Sequence, residues 1–128
     1  MSEQTIYPAL RYHDAPGAID FIESAFGFER GAVSTGDDGR VSHAEMTYEG
    51  ATLMLGAAAP ESRRPGGDLL AEPSTLYLAV ADPDDHYAQA AAAGARVIHE
   101  PYDTDYGSRE YSVSDPGGHV WSFGTYRP

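Results

Sequence analysis

Apolar and polar residues alternate along eight short runs of this chain, and two longer stretches between them space their apolar residues at helical intervals. The pattern predicts strands near 5–12, 29–35, 40–48 and 51–57 with a helix near 15–26. It then predicts strands near 75–81, 95–99, 108–114 and 119–126 with a helix near 83–93. Asp14 and Asp82 stand where the helices begin, and a carboxylate there can accept from the free N–H groups of the first turn. Pro83 suits the first helical position, where no N–H is needed. Gly27 and Gly94 suit a left-handed C-terminal cap. Turns are expected at Asp38-Gly39, at Glu49-Gly50 and from Asp115 to Gly118.

The order strand–helix–strand–strand–strand therefore occurs twice. A spacing of 68 residues relates Leu10 to Leu78 and also Gly56 to Gly124. The later hairpin carries one extra turn residue. The expected fold class is α+β: two βαβββ modules forming curved mixed sheets around a cavity, with helices on the convex faces. The chain reads as a single domain over 1–128, with module 1 at about 5–58 and module 2 at about 74–126. A connector rich in Pro, Gly and Ala, at about 59–73, joins them.

Alternation also assigns faces. Leu10, Tyr12, Ala44, Met46, Leu53 and Leu55 share the apolar face of the first sheet. Leu76, Leu78, Tyr111, Val113, Trp121 and Phe123 share that of the second. These faces must pack on the helices, with Trp121 in the core. The opposite faces mix aromatic, small and polar residues, as the wall of a ligand pocket does.

Charge narrows the partners. Twenty acidic residues against eight basic ones give a net charge of −12. That argues against nucleic acid and anionic membrane surfaces and permits attraction of a cationic ligand. There is no cysteine, and all eight basic residues are arginine, so thiolate and Schiff-base chemistry are excluded. No basic stretch followed by an apolar run opens the sequence, and no segment reaches transmembrane length, so a cytoplasmic protein is expected.

Three stretches, "YPALRYHDAPGAIDFIESAFGFE", "VSHAEMTYEGATLML" and "YGSREYSVSDPGGHVWSFGTY", resemble the vicinal oxygen chelate superfamily, which includes glyoxalase I, bleomycin-resistance proteins and extradiol dioxygenases. The resemblance implies paired modules around a cavity and a homodimer. In metal-using members it implies one His or Glu ligand per strand at the cavity floor, and the substrate chelates the ion. Those positions correspond here to Tyr7, Met54, Thr75 and Ser122, none of them imidazole or carboxylate. The reading moves to the bleomycin-resistance-like branch: no metal cofactor, and binding or sequestration of a small cationic or aromatic molecule, such as a toxic or antibiotic compound.

The candidate ligand-binding residues are Tyr7, Arg11, His43, Glu45, Met54, Thr75, Tyr77, Tyr102, Tyr106, Glu110, Ser112 and Ser122. His43 and Glu45 share a strand face, and a polar patch in the pocket wall is the simpler reading. An alternative joins His43, Glu45 and Glu110 around a divalent metal for lyase, isomerase or dioxygenase chemistry. A third reading makes Glu45 or Glu110 a catalytic base without metal. Whether the chain is an enzyme stays open at this point. Arg11 and Arg109 are expected to pair with Glu45 or Glu110 or to meet a ligand carboxylate. Tyr102 and Tyr106 are expected in a loop that can cover the cavity. His13, His86 and His99 read as surface residues, and His119 as a strand-start residue with local hydrogen bonds.

Overall fold

A computed structural model describes residues 4–58 and 73–128. The elements run β1 (Ala9–Tyr12), α1 (Ala15–Phe26), β2 (Glu29–Thr35), β3 (Val41–Tyr48), β4 (Ala51–Ala57), β5 (Thr75–Ala79), α2 (Pro83–Ala92), β6 (Arg96–Asp103), β7 (Arg109–Ser114) and β8 (Val120–Gly124). They form two four-stranded mixed sheets, β1-β4-β3-β2 and β5-β8-β7-β6, neither closed into a barrel. The fold class is α+β, with two βαβββ units. Residues 59–72, nearly all of the expected connector, lie outside the described residues.

The caps form as their chemistry requires. The Asp14 side chain accepts from Gly17 N at 3.0 Å, and that of Asp82 from Asp85 N at 3.1 Å. Helix α1 closes on Gly27 at φ 80°, a conformation that suits glycine. Along α1, Ala15, Ala18, Ile19, Ile22, Ala25 and Phe26 are buried, a stripe at helical spacing. Helix α2 buries only Pro83 and Ala90.

One core serves both units. Leu10, Met46, Leu53 and Leu55 of the first sheet and Tyr111, Val113, Trp121 and Phe123 of the second belong to a single buried cluster with both helices. Phe26, at the end of α1, lies 4.7 Å from the Trp121 ring and 5.0 Å from that of Phe123. The units meet through α1, α2 and these aromatics. Among the described residues the strands of one sheet do not pair with those of the other, so β1 and β5 are each hydrogen-bonded there on one side only. The outer faces therefore point away from the shared core.

The buried Asp115 carboxylate ties the second hairpin to the first unit. It accepts from the Tyr12 hydroxyl at 2.6 Å, Trp121 Nε1 at 2.9 Å, Gly117 N at 2.9 Å and His119 N at 3.0 Å. Burial and the neighbouring carboxylate push the Tyr12 phenol far above its ordinary pKa, so it stays a donor.

Four expectations are corrected. First, β1 begins at Ala9 and not near residue 5. Upstream, the Gln4 amide takes the place of a paired strand backbone, accepting from Thr52 N at 2.6 Å and donating to Thr52 O at 2.8 Å. Second, β6 continues past 99 to Asp103, carrying Pro101 and Tyr102. An edge strand tolerates a proline because no partner needs its N–H. Third, His86 is not a surface residue. It bridges the units, with Nδ1 2.5 Å from the Tyr111 hydroxyl and Nε2 2.9 Å from Phe26 O. Fourth, His119 keeps the expected local bonds through its backbone to Asp115, but its ring is bonded over long range. Its Nδ1 accepts from Ser74 N at 2.9 Å and its Nε2 lies 3.2 Å from Arg11 O. No helix of the described residues is long and apolar enough to cross a membrane.

Candidate functional site

On the outer face of the first sheet, β1, β4 and β3 bring Ala9, Met54 and Glu45 into one row by register. Arg11 stands opposite Gly56 in the next row, and His43 follows on β3. The glycine makes the arrangement possible. A Cβ at residue 56 would collide with Arg11 Nη1 and stand 2.8 Å from Ser42 O. His43 Nε2 lies 3.0 Å from Glu45 Oε2, with both side chains nearly half exposed. Such a pair adds little stability, and both groups remain available on the face. The Tyr7 hydroxyl donates to Gln4 O at 2.9 Å at the entrance of β1.

The outer face of the second sheet has the same rows with different contents. Tyr77, Ser122 and Ser112 align across β5, β8 and β7, and His99 follows on β6. Ser112 Oγ and Ser122 Oγ are 2.9 Å apart. In the next row Ala79, Gly124, Glu110 and Tyr102 align. Thr75 stands at the other end of β5, opposite Val120. Glu110 is 9 % exposed, and its Oε2 accepts from the Tyr106 hydroxyl at 2.9 Å. That bond and the adjacent negative charge hold the Tyr106 phenol above its ordinary pKa. The Tyr77 hydroxyl donates to Tyr126 O at 2.6 Å, and partial burial raises its pKa.

An open groove of about 610 Å³ runs between the units. Ile6, Pro8, Phe28 and Leu53 line one side and the edge of β5, from Thr75 to Ala79, lines the other, with Glu49 and Arg127 also in the wall. Of the twelve sequence-derived candidates it takes in only Thr75 and Tyr77.

The candidates thus separate into two clusters: Arg11, His43, Glu45 and Met54 on one sheet, and Tyr77, Tyr102, Tyr106, Glu110, Ser112 and Ser122 on the other. Of the alternative set, His43 and Glu45 stand on the first sheet and Glu110 on the second. Among the described residues no three His, Asp or Glu side chains converge as a metal site would require. The positions implied by the resemblance do not suit a divalent ion either. Tyr7 is bonded to Gln4 and Ser122 to Ser112, and Met54 and Thr75 offer only a thioether and a hydroxyl.

Arg109 does not pair with Glu45 or Glu110. It bridges Asp84 at 3.1 Å and Asp103 at 3.2 Å on the surface. Among the described residues Arg11 forms no ion pair with either glutamate, and its Nε is buried without a hydrogen-bond partner. Of the two loop tyrosines, Tyr106 is in the β6–β7 loop and Tyr102 is on β6. Tyr126 was not among the candidates; the pattern places it at the end of the strand near 119–126, whereas β8 ends at Gly124 and leaves Tyr126 in the segment after it. Gly56 and Gly124 were signalled by their 68-residue spacing, but as repeat mates rather than as room for a neighbour.

Two units, each with a helix-backed inner face and an open, polar-studded outer face, define a paired-βαβββ protein. The chain belongs to the glyoxalase/bleomycin resistance protein/dioxygenase superfamily, whose model matches residues 6–123. It is 38 % identical over 128 residues to the uncharacterized protein Mb0911c of Mycobacterium bovis, covering 95 % of this chain and 83 % of that one. Among solved structures it is similar to TioX from Micromonospora sp. ML1, with a TM-score of 0.81 and 26 % identity over 98 % of this chain and 100 % of that one. A glyoxalase I variant from Zea mays has the same fold, with a TM-score of 0.76 at 12 % identity, covering 98 % of this chain and 46 % of that one.

Proposed function

We propose that this chain is a metal-free binding protein that sequesters a small cationic or aromatic molecule against the outer faces of its sheets. The observation that carries the reading is the donor set at the positions where metal-using relatives are expected to hold their ion: Tyr7, Met54, Thr75 and Ser122. The net charge of −12 favours cations, and the half-exposed tyrosines of the second sheet offer aromatic contact. Among the described residues of a single chain each outer face is open, and β1 and β5 each have an unpaired edge. A homodimer in the cytoplasm, with its cavities shaped by both chains, would cover these surfaces.

Elemental analysis of the purified protein, paired with a thermal-shift screen of aromatic and cationic compounds, tests the reading. Stabilisation by such a compound in metal-free protein is expected. Stoichiometric zinc, nickel, iron or manganese that disappears in His43→Ala would sink it. Light scattering should give twice the protomer mass, and a single-protomer mass at micromolar concentration would remove the dimer from the proposal.

A further inference from the structure

We infer that Glu110 and the tyrosines around it form a binding site for an ammonium or quaternary ammonium group. The inference rests on the reading that the outer faces hold a ligand, and it names the chemistry that one of them selects.

The carboxylate is the first element. Glu110 is 9 % exposed, yet its hydrogen bond from a side chain is the neutral one from Tyr106. Among the described residues no cation pairs with it. The nearest in sequence, Arg109, is turned to Asp84 and Asp103. A carboxylate removed from water in this way calls for a positive partner.

The walls are the second element. Tyr77, Tyr102, Tyr106 and Tyr126 all stay partly exposed, between 36 % and 63 %. They reach the same end of the face from β5, β6, the β6–β7 loop and the segment after β8. The rings of Tyr106 and Tyr126 meet edge to face, with centroids 5.8 Å apart. The hydrogen bond from Tyr77 to Tyr126 O fixes the C-terminal segment against β5. Aromatic faces around a carboxylate attract an organic cation by ring quadrupole and by charge together.

The floor is the third. A Cβ at residue 124 would stand 2.5 Å from Glu110 Cγ and 2.8 Å from the Tyr77 hydroxyl. Glycine there lets the glutamate and the tyrosine converge above β8. The donor set also selects the kind of cation. One carboxylate among neutral phenols does not replace the hydration shell of a divalent metal ion, whereas alkylated ammonium needs few hydrogen bonds and gains from ring contact.

The test is an amide NMR titration of the intact chain with choline and, in parallel, with its neutral isostere 3,3-dimethylbutan-1-ol. Saturable shifts at Ser112, Ser122 and Gly124 are expected with choline, and binding of the isostere should be about tenfold weaker or more. Glu110→Gln should weaken choline by a similar factor while leaving the rest of the spectrum in place. Tyr126→Leu, which keeps the carboxylate and removes one ring, should weaken it by a few-fold. Equal binding of choline and the isostere, choline binding indifferent to Glu110→Gln, or no saturable shift with choline would each overturn the inference. A parallel titration with indole separates the two readings. Saturable indole shifts on the same face without choline binding would leave the sequestration reading standing and remove the ammonium site.

Discussion

In the first sheet a row runs from Arg11 across Gly56 toward His43; in the second the matching row runs from Ala79 across Gly124 to Glu110. The backbone plan is common to both, down to a glycine on the central strand in each. The side chain that fills the space above the glycine differs in origin and charge. In the first sheet it is a guanidinium from the parallel neighbour β1, and in the second a carboxylate from the antiparallel neighbour β7 with a tyrosine from β5. A doubled scaffold can thus keep its ladder and diverge wholly in chemistry, because the ladder constrains only the backbone and the small residue that admits a neighbour. The inner faces diverge as well. Helix α1 buries six residues and α2 buries two, so Phe26 of the first unit completes the core of the second.

The largest expected effect breaks that dependence. Phe26→Ala should cost about 3–5 kcal/mol, the range for a fully buried aromatic. Because the core is shared, loss should reach both units in one transition. The chain has one tryptophan, Trp121, so fluorescence reports the second unit's core while far-ultraviolet circular dichroism reports both units. Urea curves from the two probes should coincide in the wild type and in the variant. Separate midpoints would show that the units fold independently and that the asymmetry between the helices carries no consequence.

The two glycines come next. Gly56→Ala should destabilise by about 1–3 kcal/mol, because the new methyl meets the Ser42 carbonyl of a packed strand as well as Arg11. Gly124→Ala should cost less, about 1 kcal/mol, since the nearest atoms are side chains and the nearest backbone atom, Arg109 O, is 3.2 Å away. It should instead displace Glu110 and Tyr77 and shift the ring signals of Tyr77 and Tyr106. An equal loss in both variants would mean that the two rows are equivalent in packing as well as in register.

This asymmetry also marks where the sequence stops being readable. Strand alternation correctly sorted Leu10, Leu55, Tyr111 and Phe123 from Arg11, Met54, Glu110 and Ser122, because a sheet has only two faces. Asp14, Asp82 and Gly27 announced the helix ends through local hydrogen bonding. Tertiary partners left no local mark. His86 lies on a helix with a polar sequence, and only Phe26, 60 residues away, makes it a bridge. Arg109 lies in one of the stretches that carry the resemblance, but Asp84 and Asp103 claim it. Periodicity assigns His43, Glu45 and Glu110 each to an outer face without saying that one chain has two such faces, the first two residues on one and Glu110 on the other.

A smaller effect acts between the helices. His86 occupies in α2 the repeat position of Ala18 in α1. The neutral ring fits its partners, with Nε2–H donating to Phe26 O and Nδ1 accepting from the Tyr111 hydroxyl. Burial lowers its pKa below the ordinary 6.5, with the Phe26 carbonyl opposing the shift in part. The unfolded chain therefore takes up this proton as pH falls through about 6.5 while the folded chain does not. The contribution is fully present above that pH and declines below it until the folded pKa is reached. Urea midpoints should fall between pH 7.5 and 5.5 more steeply for the wild type than for His86→Gln, whose amide can serve both partners without titrating. Identical slopes would assign the acid sensitivity of the module junction to other groups.

The smallest effect is confined to the second face and tests whether its carboxylate and tyrosines act as one unit. The Tyr106 hydroxyl donates to Glu110, a bond that the phenolate cannot make, and the negative charge of the carboxylate further opposes ionisation. Tyr106 should therefore ionise above the ordinary value near 10. In Glu110→Gln both causes weaken, since the charge is gone and an amide oxygen is a poorer acceptor, so its titration should move down toward that value. Ring-carbon chemical shifts followed through alkaline pH, with Tyr106→Phe to assign the signal, measure the difference. Tyr48 on β3, whose phenol is raised by burial and by the charge of Glu49 and not by Glu110, supplies the internal reference. Its titration should be the same in the wild type and in Glu110→Gln. A common shift of both tyrosines would indicate a global change of charge and not a local pairing. Movement of Tyr106 alone would locate the carboxylate's influence on the face that has no counterpart in the first sheet.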